Sequence, residues 1–324
     1  MVPNRFLLGG DESTNGTDRA SDNACSRRSY LRATGAAVAA GLTAGTASAS
    51  AAGADGAPAT GTSDEASSVI DIDYDRIDAP SDAYRVWNGN EASAAMGQHP
   101  TQSGSQSLSI TVGSGNSWGT NAMYWLSEQG YGQPSEAYQR QRVSISDGWE
   151  MAPDDLCRFT AIGFNTEAGN AGSGGRGPPT GADGWSSVVC LANRGNPPAG
   201  TYGLATYTYH MDYHSGSGEI ELTDAAIPIG EWVDLETYVR MNTYQNGRAN
   251  SDGVIRYWLD GELAYEREDL RFTTTDAQAI EYLGPRVRYG GSEVAPAEQS
   301  IQYGDHRIVV GPAASDRAPS ARRS

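Results

Sequence analysis

The chain has 324 residues, 40 acidic and 23 basic side chains and a formal net charge of -17, and every basic residue is arginine. Such a surface excludes general nucleic-acid binding, which needs a basic face. It fits a salt-adapted protein, because carboxylates stay hydrated when salt competes for water, and at about 1 M salt the screening length of about 3 Å still permits an anionic ligand. Apolar content of 38% is low enough for disorder, but 17 Tyr, 7 Trp and repeated alternating segments require a packed core.

Ser26-Arg27-Arg28-Ser29-Tyr30-Leu31 places paired arginines ahead of the small-residue apolar run Ala33 to Ala44, and Ala47-Ser48-Ala49 offers a small-x-small cleavage pattern. Residues 1–49 therefore read as a twin-arginine signal peptide, and the run is too short and too rich in Ala and Gly to span a bilayer, which takes about 20 apolar residues. No cysteine follows to accept a lipid, so an extracellular, haloarchaeal-type secreted protein with no membrane association is expected. Residues 50–69 have the Ala, Gly, Ser and Asp composition of a flexible linker. A single domain over 70–313 and a disordered polar tail over 314–324 complete the expected organisation.

Inside the domain the dominant period is two. Leu108, Ile110 and Val112 alternate with polar neighbours, as do Trp232 to Val239 and part of Ile301 to Val310. Val254 to Leu259 enters Asp260-Gly261 and leaves through Glu262 to Tyr265, a strong hairpin signal. Many strands, frequent turn residues and no βα alternation predict an all-β fold, an antiparallel β-sandwich or jelly roll.

Several short segments then fall in an order that resembles polysaccharide lyase family 14, the alginate lyase-like enzymes, over about Gly104 to Pro312. They are Gln133 to Tyr138, Leu156 to Ile162, Ala171 to Gly175, Gly184 to Val188, Tyr207-Thr208-Tyr209-His210, Gly230-Glu231-Trp232, Tyr238 to Thr243, Asp252-Gly253-Val254, Trp258 to Gly261 and Tyr289-Gly290-Gly291. The resemblance implies a concanavalin A-like jelly roll that opens a glycosidic bond beside a uronate by β-elimination. Such chemistry needs a cation on the carboxylate to stabilise the developing enediolate, and a base and an acid beside the sugar.

In that family a lysine, a Ser-x-Arg pair and a Tyr-x-Tyr pair supply these roles. Here Tyr207 and Tyr209 match the tyrosines, and two apart on a strand they project from one face. Ser186 matches the serine, but Val188 stands where the arginine belongs, and Arg158 replaces the lysine. A guanidinium grips a carboxylate bidentately but does not shuttle protons. Arg158 is thus expected to hold the uronate, with Tyr207 and Tyr209 as base and acid, and Ser186, His210 and Arg240 as substrate-binding residues. Another arginine, such as Arg140, Arg142 or Arg240, must replace the missing cation if catalysis survives. The plain alternatives are a tyrosine pair on an ordinary amphipathic strand, a surface Arg158 and a structural Ser186.

Other chemistries fit less well. His210 and His214 have a helical metal spacing but sit on a strand leading into a turn, so no metal is expected. The glycine-rich stretch Gly169 to Gly177 has no Gly-Lys-Ser/Thr, so it reads as a flap and not a phosphate cradle. Glu219-Ile220-Glu221-Leu222-Thr223-Asp224 departs from the carboxylate pattern of jelly-roll glycosidases and reads as a solvated acidic edge. Cys157 and Cys190 should face opposite sides of a sheet unless a bulge intervenes, and so remain free, buried thiols. No cofactor is expected, and Asp305 leaves room for a structural calcium without predicting one. The expected partner of this lyase-like protein is an acidic polysaccharide met by a monomer; the alternative is a non-catalytic carbohydrate-binding protein on the same fold.

Overall fold

The computed structural model describes residues 66–100, 102–165, 179–214, 217–246, 248–275 and 278–319. The expected signal peptide, most of the linker and the stretch Gly169 to Gly177 lie outside these residues.

Among the described residues the chain is nearly all β. An eight-stranded sheet A has the order β15 (Glu262–Leu270), β14 (Gly253–Leu259), β11 (Val233–Arg240), β6 (Glu136–Ile145), β17 (Gln299–Val310), β4 (Gln106–Val112), β3 (Ala94–Gln98), and β1 (Ser68–Ile72) also pairs with β17. A seven-stranded sheet B has the order β10 (Glu219–Pro228), β9 (Thr201–Tyr209), β8 (Gly184–Ala192), β7 (Leu156–Asn165), β16 (Tyr282–Tyr289), β5 (Trp118–Trp125), β2 (Arg85–Gly89). Two short strands, β12 (Tyr244–Gln245) and β13 (Arg248–Ala249), pair apart from both. Pairings between named strands are antiparallel, which gives the expected jelly-roll sandwich.

Period-two alternation decides which side chains meet between the sheets. Leu108, Ile110, Ile301 and Tyr303 face inward from sheet A, and Phe159, Trp185, Leu191, Leu204 and Val287 from sheet B, all fully buried or nearly so. Polar contacts bridge the two layers: Tyr303 Oη donates to the Phe159 carbonyl at 2.6 Å, and Ser187 bonds both Tyr257 and Thr208. Each large apolar side chain removed from water contributes about 1.5–3 kcal/mol. The hairpin between β14 and β15 turns at Asp260 and Gly261, both at positive φ, as a two-residue type I′ turn requires.

Two irregularities shape the outer face of sheet B. On β7, Arg158 pairs with Cys190 and Thr160 with Val189, so Phe159 is an extra residue. Phe159 and Thr160 consequently both point inward, Thr160 Oγ1 donating to the Gly284 carbonyl at 3.0 Å, which leaves Arg158 and Ala161 outward. β16 carries its own extra residue between Pro285 and Arg288 and brings Arg288 directly opposite Arg158.

Two expectations are corrected here. Glu219 and Glu221 are not a solvated edge: Arg267 from sheet A holds them at 2.5 and 3.2 Å, and Tyr265 donates to Glu221, joining the edge strands β10 and β15. The chain end expected to be a disordered tail from residue 314 opens with a short helix α1 (Ala313–Arg317) whose Ala314 is buried.

Cys157 lies in the inter-sheet core and Cys190 in the apolar cluster on the other face, and both are free. The bulge beside Arg158 does not bring them together. Burial pushes the Cys190 thiol up to about 12 and Cys157 upward too, so neither is a reactive thiolate. Native protein should therefore leave both thiols unlabelled by a thiol reagent, and unfolded protein should label both without prior reduction. Mass spectrometry showing a Cys157–Cys190 bridge would contradict this register.

Candidate active site

The outward residues of sheet B form a patch from β9 across to β2. Tyr207 and Tyr209 leave β9 on the same face as Val188 and Cys190 of β8, Ala161 of β7 and Tyr282 of β16. The tyrosine rings stand edge to face at 5.1 Å, and their hydroxyls are hydrogen-bonded at 2.9 Å. Burial, and then the hydrogen bond from its neighbour, raises the Tyr209 phenol above its ordinary range, so it stays protonated. Arg158 lies over the Tyr207 ring at 4.7 Å and donates to the Tyr289 carbonyl at 3.4 Å. The three are well enclosed, with exposures of 7% for Arg158, 8% for Tyr207 and 2% for Tyr209.

Two further arginines reach this face from a strand that sequence reasoning did not single out. Arg286 and Arg288 of β16 share the outer face, alternating with the core residues Val287 and Tyr289. Arg288 stacks on Trp118 at 4.1 Å. Burial, followed by the charge of Arg158, pushes both Arg286 and Arg288 down to about 10, so they remain charged at neutral pH. None of the three arginines forms an ion pair among the described residues. Glu293, which like Arg158 lies beside Gly290, is occupied by the amides of Leu156 and Gly290 and by Arg194. Facing the same patch are buried polar atoms without a partner, namely Ser186 Oγ, Asn121 Oδ1, and Nε of Arg286 and of Arg288. Native structures rarely leave such atoms unsatisfied, so these atoms are available to water or to a bound polar group.

The residues expected from sequence divide accordingly. Arg158, Tyr207, Tyr209 and Ser186, which pairs with Tyr209 in register, come together. His210 does not join them: it follows Tyr209 and so takes the opposite face, where Nε2 meets Glu219 at 2.7 Å in the Arg267 cluster. Arg240 is also misplaced, because β11 belongs to sheet A; it reaches the Asp252 carbonyl and lines a separate cavity of about 590 Å³. Arg140 and Arg142 are likewise on sheet A, with Asp234. Among the described residues no group of three or more His, Cys, Asp or Glu is placed to hold a metal ion, and no helix is long and apolar enough to cross a membrane.

This arrangement defines a jelly-roll protein with a cationic, tyrosine-bearing patch on one sheet. No family model and no curated protein matches the sequence. Among solved structures the fold is similar to alginate lyase Aly36B, at 16% identity and a TM-score of 0.56, covering 74% of this chain and 96% of that one. It is also similar to alginate lyase vAL-1 from Chlorella virus (14%, 0.54, covering 71% and 94%) and to the marine PL-14 alginate lyase from Aplysia kurodai (15%, 0.52, covering 70% and 90%). At these identities the likeness establishes the fold.

Burial of these arginines, followed by their mutual repulsion, has a measurable cost. Arg286 has a folded-state value near 10 against an ordinary 12.5, so between these values the unfolded chain binds more protons and stability rises with pH. Below pH 10 the penalty is present in full. Arg286→Met should accordingly raise the unfolding midpoint of ligand-free protein at pH 7 by about 2–8 °C, with the advantage shrinking above pH 10. A lower midpoint in calorimetry would contradict an unneutralised cluster.

Proposed function

We propose that the protein is a polysaccharide lyase acting on an acidic, uronic-acid polysaccharide by β-elimination, and that it works outside the cell as a salt-adapted monomer exported by the twin-arginine route. The observation that carries this reading is the contact between the Tyr207 and Tyr209 hydroxyls beside three arginines with no counter-ion. The fold likeness supports it, since one such structure, a variant of Aly36B with a lysine and a tyrosine each replaced by alanine, is a complex with alginate tetrasaccharide.

The chemistry follows from the placement. Arg158 receives the carboxylate beside C5 and stabilises the enediolate as the proton leaves, in the positive potential that Arg286 and Arg288 add beside it. Tyr207, acting as the phenolate, takes the C5 proton and becomes the neutral phenol. Tyr209, kept protonated by burial, donates to the leaving C4 oxygen, and the bond between the phenols lets the proton pass back through the pair to reset it. Ser186, in register with Tyr209, is fully buried and so does not present its hydroxyl to a sugar at this surface. Because the two hydroxyls adjoin, the proton is taken and returned on one face of the sugar, a syn elimination.

A second reading rests on Val188, which occupies the position of the family's arginine: a non-catalytic carbohydrate-binding protein using the same patch. One assay separates the two. In molar salt the wild-type protein should release unsaturated product, seen by ultraviolet absorbance, from polyuronates. Tyr209→Phe should lower the rate at least about 100-fold and change binding little. Full activity in that variant would overturn the assignment, and binding without product from any polyuronate would favour the second reading.

The syn geometry yields a further expectation. In D-mannuronate and D-glucuronate the C5 hydrogen and C4 oxygen lie on the same side of the ring, and in L-guluronate on opposite sides. Mannuronate blocks and glucuronan should be cleaved in preference to guluronate blocks, and the reverse preference would contradict the tyrosine pair as sole proton carrier.

A further inference from the structure

Elimination at one uronate needs one carboxylate neutralised, and one carboxylate is matched by a single guanidinium fork. The patch holds three guanidiniums. Arg158 and Arg288 face each other across adjacent strands, about 5 Å apart at Cα, and Arg286 is two residues along the same strand on the same face. Protein groups absorb little of this charge. Arg158 has one backbone carbonyl and the face of Tyr207, Arg288 has the face of Trp118, and Nε of both Arg286 and Arg288 is buried without an acceptor. Glu293, beside Gly290 as Arg158 is, already accepts from two amides and pairs with Arg194. In a chain of net charge -17 with acids available elsewhere, one buried and two half-buried cations share one spot without an ion-pair partner among the described residues.

With one uronate carboxylate bound, a surplus of two positive charges remains in an enclosed place, where leaving a charge unpaired is costly. A sulfate ester, with its single negative charge, takes up one of the two: it is anionic at every working pH and brings oxygen acceptors for the free Nε–H groups of Arg286 and Arg288. We infer that the sugar chain recognised here carries sulfate esters beside its uronate carboxylates, Arg158 holding the carboxylate and Arg286 with Arg288 the sulfate. Resting on the lyase reading above, this narrows the substrate class to sulfated uronic-acid polysaccharides.

The test uses one sulfated uronic-acid polysaccharide and the same polymer after chemical desulfation, with wild-type protein in molar sodium chloride. Bulk attraction is then screened beyond about 3 Å, so a preference reports direct contacts. Initial rates of unsaturated-product formation should give kcat/KM at least about 30-fold higher on the sulfated polymer, the scale of one truncated charge-assisted contact. In Arg286→Met the ratio should fall toward one. Equal or faster cleavage of the desulfated polymer would overturn the inference and leave the lyase reading standing. If neither polymer yields product, the lyase reading fails, and calorimetric titration of the same pair decides: tenfold tighter binding of the sulfated form supports sulfate recognition, and equal binding overturns it.

Discussion

The outer face of sheet B is built around three arginines, Arg158, Arg286 and Arg288, set side by side where burial and then their mutual charge both work against them. Elsewhere the chain pairs its arginines readily: Arg256 with Glu266 and Glu268, Arg267 with Glu219 and Glu221, Arg271 with Asp212. On this face it withholds carboxylates and surrounds the charges with Val188, Cys190, Ala161 and the tyrosine rings. Burying like charges without partners costs stability, and such arrangements are kept where binding or chemistry uses them. The same field acts on the tyrosines, with the Arg158 guanidinium lying against the ring of Tyr207.

Two backbone irregularities produce this arrangement. If β7 ran without its extra residue, Arg158 and Ala161 would fall on opposite faces; the bulge at Phe159 holds both outward and sends Thr160 to the Gly284 carbonyl. The extra residue in β16 then sets Arg288 across from Arg158. Charge missing from β8 at Val188 is thereby supplied from β16, on the far side of β7. A chain without lysine carries this charge on arginine alone.

Much of this was legible in the sequence because period two reports faces directly. The Asp260-Gly261 hairpin, the buried Leu108, Ile110 and Val112, the outward Tyr207 and Tyr209 and the opposed Cys157 and Cys190 all follow from alternation and turn chemistry. His210 was readable by the same rule, since the residue after an outward tyrosine must point inward, and the family resemblance obscured it. Arg240 was not readable: its strand lands in sheet A, and strand order depends on long-range pairing that local pattern does not encode. Arg286 and Arg288 left a signal in Arg286-Val287-Arg288-Tyr289, charged and apolar residues in strict alternation. Alternation alone does not tell a solvent face from a binding face, and only the neighbouring Arg158 makes the difference visible.

The central claim is that the arginine cluster is the seat of a uronate carboxylate next to the tyrosine pair. Its most direct test is calorimetric titration of a short, saturated uronate oligosaccharide into Tyr209→Phe protein in molar salt, with and without the further change Arg158→Met. Loss of the buried guanidinium is predicted to weaken binding at least about 30-fold. Undiminished binding in the double variant would contradict the account.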